Sequence, residues 1–242
     1  MKRILVLLFI QIALYSFGQS VRIDTLLLTK DEKSGYLPSN QFKFPVVRTG
    51  VENIDLEINT NLRRDFFNDN DGGLKPESEW IDESLIYLGF QVTYNKNGIL
   101  SLNISAESCG AYCTAWTSYY NYSIVTGKKL SIGDVIYLSE GFKEMVISDK
   151  DSQYAKEREG LERMRSDINA GLDEESFNLA VEYYEDCQKA FQINEFALHN
   201  EYLQIIHDCN LSRLMRNLTP VIMLQYRFDG LKGLKIKTTT DK

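Results

Sequence analysis

The chain has 242 residues, 43% of them hydrophobic, with 34 acidic against 27 basic side chains and a net charge of −7. That length and apolar content suffice for one large domain or two small ones with a sizeable core. The acidic balance speaks against nucleic acid as a partner. Lys2-Arg3, an apolar run from Ile4 to Leu14 broken by Gln11, and Tyr15-Ser16-Phe17-Gly18-Gln19 open the chain. This is the pattern of a cleavable secretory signal, with small residues at 16 and 18 placing cleavage after Gly18. The run is shorter than the roughly 20 apolar residues of a membrane span, and no cysteine lies nearby to mark a lipoprotein. Residues 1–18 are therefore expected to be removed, leaving a secreted or periplasmic protein with no membrane span. Losing Lys2 and Arg3 leaves 25 basic residues against 34 acidic, a charge of −9, which suits a cationic partner and also serves plain solubility.

Residues 21–29 and 41–48 are predicted strands, the second carrying Pro45, which belongs on an edge or at a bulge. Thr49 and Glu52 form a capping-box signature, and Val51, Ile54, Ile58, Leu62 and Phe66 recur at helical spacing. Glu52, Asp55, Glu57, Arg63 and Arg64 then form a solvated face. Asn68-Asp69-Asn70-Asp71-Gly72-Gly73 looks like a calcium loop but fails on spacing. With Gly72 sixth, the first and twelfth ligands would be Phe67 and Ser78, neither a carboxylate.

Residues 91–138 are the centre of the chain. Val92, Tyr94, Ile99, Leu102 and Ile104 lie in two extended runs broken by Asn95-Lys96-Asn97-Gly98, and Asn-Gly supplies the positive φ of a tight hairpin. A third strand follows, with Tyr112, Thr114, Trp116, Ser118, Tyr120, Tyr122 and Ile124 on one face and Cys113, Ala115, Thr117, Tyr119 and Val125 on the other. Thr126-Gly127-Lys128 ends it, and Leu130, Ile132, Asp134 and Val135 lead into a turn or short helix.

This order of elements carries a resemblance: a strand ending Tyr94-Asn95, a turn with Gly98, and a strand opening Ile99-Leu100-Ser101-Leu102. An aromatic strand ending Tyr119-Tyr120-Asn121-Tyr122 follows, then the run from Thr126 to Val135. Over roughly residues 37–236 the chain resembles the extracellular domain of unknown function shared by the anti-sigma factor RsiV and the accessory, non-catalytic region of the peptidoglycan deacetylase PdaC. The resemblance implies a PdaC-accessory-like N-terminal half over 19–126 and an RsiV-extracellular-like C-terminal half over 127–238. Because the RsiV domain recognises lysozyme, it also implies a lysozyme-type muramidase as partner. The chain departs from the family pattern at Leu214-Met215-Arg216-Asn217, where a glycine-containing loop is expected.

Residues 140–188 are predicted to form two helices with a break near Gly171. Phe142, Met145 and Val146 dock the first, and Phe177, Ala180, Val181 and Tyr184 form the buried stripe of the second. Asp173, Glu174, Glu175, Glu182, Glu185 and Asp186 leave the other side of that second helix acidic. Strands return at 191–193, 196–198, 202–206 and 220–226.

Four cysteines in an exported chain favour two disulfides, and three pairings are possible. The short Cys109-Gly-Ala-Tyr-Cys113 loop can close on itself, which pairs Cys187 with Cys209. A zinc site from all four is the alternative, though the spacing lacks paired C-x2-C knuckles. His199 and His207 could bind a metal or form an acid-base pair, but histidines at strand ends are usually structural. No HExxH, GxSxG, P-loop or GxGxxG is present, and acid pairs such as Glu182 with Glu185 or Asp186 on an exposed helix stay solvated. No catalytic residue, metal ligand or cofactor is therefore expected.

The sequence thus predicts an α+β fold, a largely antiparallel sheet with helices packed on one side, in two intertwined subdomains. Its expected function is that of a secreted non-catalytic binding module recognising a lysozyme-type muramidase. A peptidoglycan- or glycan-binding module of the cell envelope is the alternative. The candidate binding residues are Tyr112, Trp116, Tyr119, Tyr120 and Tyr122 as aromatic anchors and Glu175, Glu182 and Asp186 for steering. The aromatic face could equally be core.

Overall fold

The computed structural model describes residues 20–29, 41–67, 80–81, 84–110, 113–167, 172–209, 218–230 and 236. The proposed signal, the Asn68–Gly73 turn, Tyr112, Gly171 and Leu214–Asn217 lie outside the described residues. Among these residues twelve elements follow in order: β1 (Arg22–Thr29), β2 (Gln41–Arg48), α1 (Glu52–Phe66), β3 (Leu85–Lys96), β4 (Ile99–Cys109), β5 (Cys113–Ser123), α2 (Ile132–Val135), α3 (Glu140–Ser166), α4 (Glu174–Ala190), β6 (Phe196–Leu198), β7 (Tyr202–Asp208) and β8 (Val221–Arg227). The strands form three sheets, in the orders β1-β2, β3-β4-β5 and β6-β7-β8. The pairs β1–β2, β3–β4, β4–β5 and β7–β8 are antiparallel, so the α+β fold is as the sequence predicts. The chain divides into two compact units. One comprises 1–131, 197–200 and 237–242, the other 132–196 and 201–236.

In the first unit, α1 packs the fully buried Ile58 and Leu62 against Phe42, Phe44, Leu102, Ile104 and Tyr122. Truncating either aliphatic residue to alanine would cost about 2–5 kcal/mol through lost burial and the cavity left behind. The Asn97-Gly98 turn forms as its chemistry demands, with φ of 55° and 77° at the two residues. A bulge at Thr93 interrupts the β3–β4 register between Val92 and Tyr94. The buried Thr93 hydroxyl donates to the Ser101 carbonyl and to Ser101 Oγ, at 3.2 and 3.1 Å. Pro45 lies opposite Thr25 in a sheet of two strands, where no central ladder is lost.

Two local expectations are corrected. The N-cap of α1 is Val51, and its side chain makes no cap hydrogen bond. Thr49 instead donates its backbone N–H and its hydroxyl to Asp55 Oδ1, at 2.6 and 2.5 Å, so Asp55 and not Glu52 closes the motif. Residues 191–193 are not a strand either, because α4 runs to Ala190 with Phe191 as its C-cap and a turn follows.

The second unit buries Phe142, Val146, Tyr154 and Leu161 of α3 and Phe177, Ala180 and Tyr184 of α4. Ser139 caps α3 by accepting from the Phe142 N–H at 3.2 Å. No helix among the described residues is long and apolar enough to cross a membrane.

Candidate functional site

The aromatic candidates on β5 separate once the strand is paired. Tyr120 and Tyr122, on the inner face towards α1, are 3% and 0% exposed, and burial pushes the Tyr120 hydroxyl up to about 12 and raises that of Tyr122 as well. These two are core residues and cannot anchor a partner. Trp116 shares their face but lies nearer the open end of the strand, 37% exposed, with its ring stacked on Phe66 at 6.4 Å between centroids. Behind it, Phe66, Phe67, Trp80 and Phe44 form a continuous aromatic cluster. Tyr119 is half-buried on the opposite, outer face.

That outer face is built by strand register. Tyr87 pairs with Glu107, which pairs with Ala115, and the next row is Gly89, Ser105 and Thr117. Gln91, Asn103 and Tyr119 follow. At the far end the face is closed, where the Leu198 N–H donates to the buried Ser101 Oγ at 3.1 Å. At the near end it is open, and Tyr87 is 51% exposed. The Tyr87 ring folds down along its own strand onto Gly89. A Cβ built at Gly89 would stand 2.4 Å from the Tyr87 hydroxyl oxygen and 3.0 Å from Cζ. Gly89 is thus buried by the ring, and only a residue without a side chain lets the ring lie there. Ser105 and Thr117 hydroxyls pair at 2.9 Å beside it. Tyr87 escaped the sequence reading, though tyrosine and glycine two apart on one strand face were the available signal.

A disulfide between Cys109 and Cys113 closes the tip of β4–β5, with Cα atoms 4.0 Å apart. The Cys109 N–H donates to the Ser84 carbonyl at 2.7 Å, and the Ser84 and Ser108 hydroxyls meet at 2.7 Å. Glu107 lies within 4.8 Å of both sulfurs, but bonded to each other they offer a cation no thiolate. Cys187 and Cys209 form the second disulfide, so the predicted pairing is the observed one and the zinc alternative falls.

In the second unit, Glu175, Glu182 and Asp186 are exposed on α4. Asp186 meets Lys189 at 3.3 Å, and the neighbouring Glu174 and Glu185 meet Arg165 and Arg158. Asp173 caps the helix by accepting from the Ser176 N–H at 2.7 Å, a bond that holds its carboxyl below the ordinary range. His207 Nε2 lies 3.0 Å from the Cys187 carbonyl, with its ring against Phe191 and Tyr154, a structural role.

No family model matches the sequence, and no curated protein matches it. Two solved structures share the fold over most of the chain. A DUF3298 family member from Bacteroides fragilis is 10% identical, with a TM-score of 0.52, covering 91% of this chain and 96% of its own. A DUF3298 family protein from Pseudomonas aeruginosa is 13% identical, with a TM-score of 0.51, covering 90% and 94%. At such identities the likeness is one of fold: this chain has the α+β architecture of DUF3298 structures, a family named for a domain of unknown function.

Proposed function

We propose that the protein is an exported, non-catalytic binding module that recognises a cationic muramidase of the lysozyme type. The observation that carries this reading is the solvent-facing acidic side of α4, where Glu175, Glu182 and Asp186 all stand exposed. It is joined by the charge of −9 left when Lys2 and Arg3 are lost and by the resemblance to the RsiV extracellular domain. The two disulfides suit an oxidising compartment outside the cytoplasm, where such a partner is met. Acidic side chains raise the encounter rate with a basic protein, so association slows as salt rises from low to physiological strength while dissociation changes less. Among the described residues, Trp116 is the exposed aromatic anchor left on the inner face of β5. Calorimetric titration of the mature protein with several lysozyme types, paired with a muramidase assay, tests the reading. Binding heat with loss of lytic activity supports it, and no heat with undiminished lysis across all types overturns it.

The second reading is a peptidoglycan- or glycan-binding module of the cell envelope. The open outer face of β3-β4-β5, with an aromatic ring laid flat upon it, favours that reading.

A further inference from the structure

We infer that the outer face of β3-β4-β5 is a carbohydrate platform on which the Tyr87 ring stacks one pyranose of a neutral, β-linked glycan chain. This inference rests on the glycan-binding reading and names its site and ligand class. The ring orientation comes first. Tyr87 is 51% exposed, yet its hydroxyl and Cζ lie where a Gly89 Cβ would sit, so one ring face is turned to the sheet and the other to solvent. An exposed tyrosine with no constraint would extend into water, whereas here a glycine makes room for it to lie flat. The outward π face is negative and attracts weakly positive C–H groups. A β-linked pyranose, with its substituents equatorial, presents a flat layer of such C–H groups.

The surroundings select for a sugar over other ligands. Beyond the ring lie the Ser105–Thr117 hydroxyl pair and then the Gln91 and Asn103 side chains, groups that both donate and accept as a polyhydroxylated ligand requires. Along these rows Glu107 is the one charge, at the rim, in a chain whose net charge is −7. A face so nearly neutral is matched to a neutral ligand and steers no cationic protein. Tyr119 adds a second, half-buried ring. Strand spacing and rise place Gly89 and Tyr119 about 12 Å apart on the diagonal, which calls for an oligosaccharide and not a single sugar.

Chitohexaose and cellohexaose, which differ in the N-acetyl group, are the probes, with α-linked maltohexaose as the control. Each is titrated calorimetrically into the mature protein and its variants. The expected result is binding of at least one β-linked hexamer and none of maltohexaose. Tyr87→Ala should weaken binding roughly tenfold or more, as loss of a central aromatic contact does, while Tyr87→Phe keeps the ring and the affinity. Gly89→Ala should also weaken it, because the new Cβ lifts the ring off the sheet. Thermal melts confirm that each variant is folded. Binding of a hexamer that survives Tyr87→Ala overturns this site while leaving the glycan reading standing. No binding of any hexamer overturns both, and a preference for maltohexaose overturns the ligand class.

Discussion

The side-chain amide of Asn59 on α1 takes both backbone groups of Val47 on β2: Oδ1 accepts from the Val47 N–H at 2.8 Å, and Nδ2 donates to the Val47 carbonyl at 2.9 Å. The amide thereby stands in for the next strand of a sheet that ends there, since among the described residues β2 pairs with β1 alone. Both bonds are buried, so removing the amide leaves two backbone groups without water or partner. Asn59→Leu, similar in size, is expected to destabilise the protein by about 2–4 kcal/mol. Urea unfolding should show the midpoint shifted with an unchanged slope. A loss below about 0.5 kcal/mol would show that the clasp contributes nothing net.

The same device recurs twice. Asn95 brackets the Val21 N–H and carbonyl at 2.9 and 2.7 Å, and Gln153 brackets those of Met223 on β8 at 3.0 and 3.2 Å. Each closes a strand end or edge that would otherwise invite pairing with another chain. Gln153→Ala should therefore raise the aggregation rate of the folded protein at high concentration more than it lowers the melting temperature. Light scattering over time, compared with the wild-type chain, checks this.

The two disulfides should differ in what they contribute. Cys187 and Cys209 are 22 residues apart, Cys109 and Cys113 only 4. Loop-closure entropy gives the longer bridge about 3 kcal/mol and the shorter one less. Replacing Cys187 and Cys209 together by serine also disturbs the buried Tyr154 hydroxyl, which lies 3.2 Å from Cys209 Sγ. Unfolding of the two double variants ranks them, and a larger loss for Cys109 and Cys113 would contradict the expectation.

Trp80 is 6% exposed and Trp116 37%, so acrylamide should quench one emission component readily and the other poorly. Trp116→Phe should remove the readily quenched component. Persistence of that component in the variant would mean that Trp80 is the accessible ring.

Much of this fold was legible in the sequence because short-range chemistry decided it. The Asn97-Gly98 turn, the alternation of β4 and β5 and the apolar stripes of α1 and α4 are local patterns, and each forms where they indicate. The disulfide pairing followed from loop length. What stayed hidden depends on partners distant in sequence. Alternation put Trp116, Tyr120 and Tyr122 on one face but could not say that α1 covers that face over Tyr120 and Tyr122 and leaves Trp116 at the rim. Nothing local marks Asn59, because its partner is a strand edge 12 residues earlier. Tyr87 was passed over since the feature that matters is the glycine two residues on, whose lack of a side chain becomes meaningful only when the ring is seen lying there. Phe191, apolar and alternating with Ile193, imitates a strand but caps a helix and packs against Lys150 and His207.

Alkali should unfold the protein through its buried tyrosines. Burial raises the Tyr120, Tyr154 and Tyr184 hydroxyls to about 12, and Tyr122 and Tyr226 move in the same direction. In the unfolded chain a tyrosine ionises near pH 10, roughly. Each of these groups therefore holds its proton more tightly folded than unfolded, and unfolding between those limits releases protons. The stability they contribute is fully present below about pH 10 and is lost as pH rises towards 12. Denaturant midpoints should stay level in this respect up to about pH 10 and then fall steeply. Absorbance at the phenolate band should show these buried tyrosines ionising together with loss of structure. Tyr122→Phe removes one of the buried titrating groups, and its hydroxyl has no hydrogen-bond partner among the described residues. That variant should fold normally and carry the alkaline transition to a higher pH. Ionisation of these buried tyrosines near pH 10, roughly, with the fold intact would be the contrary result.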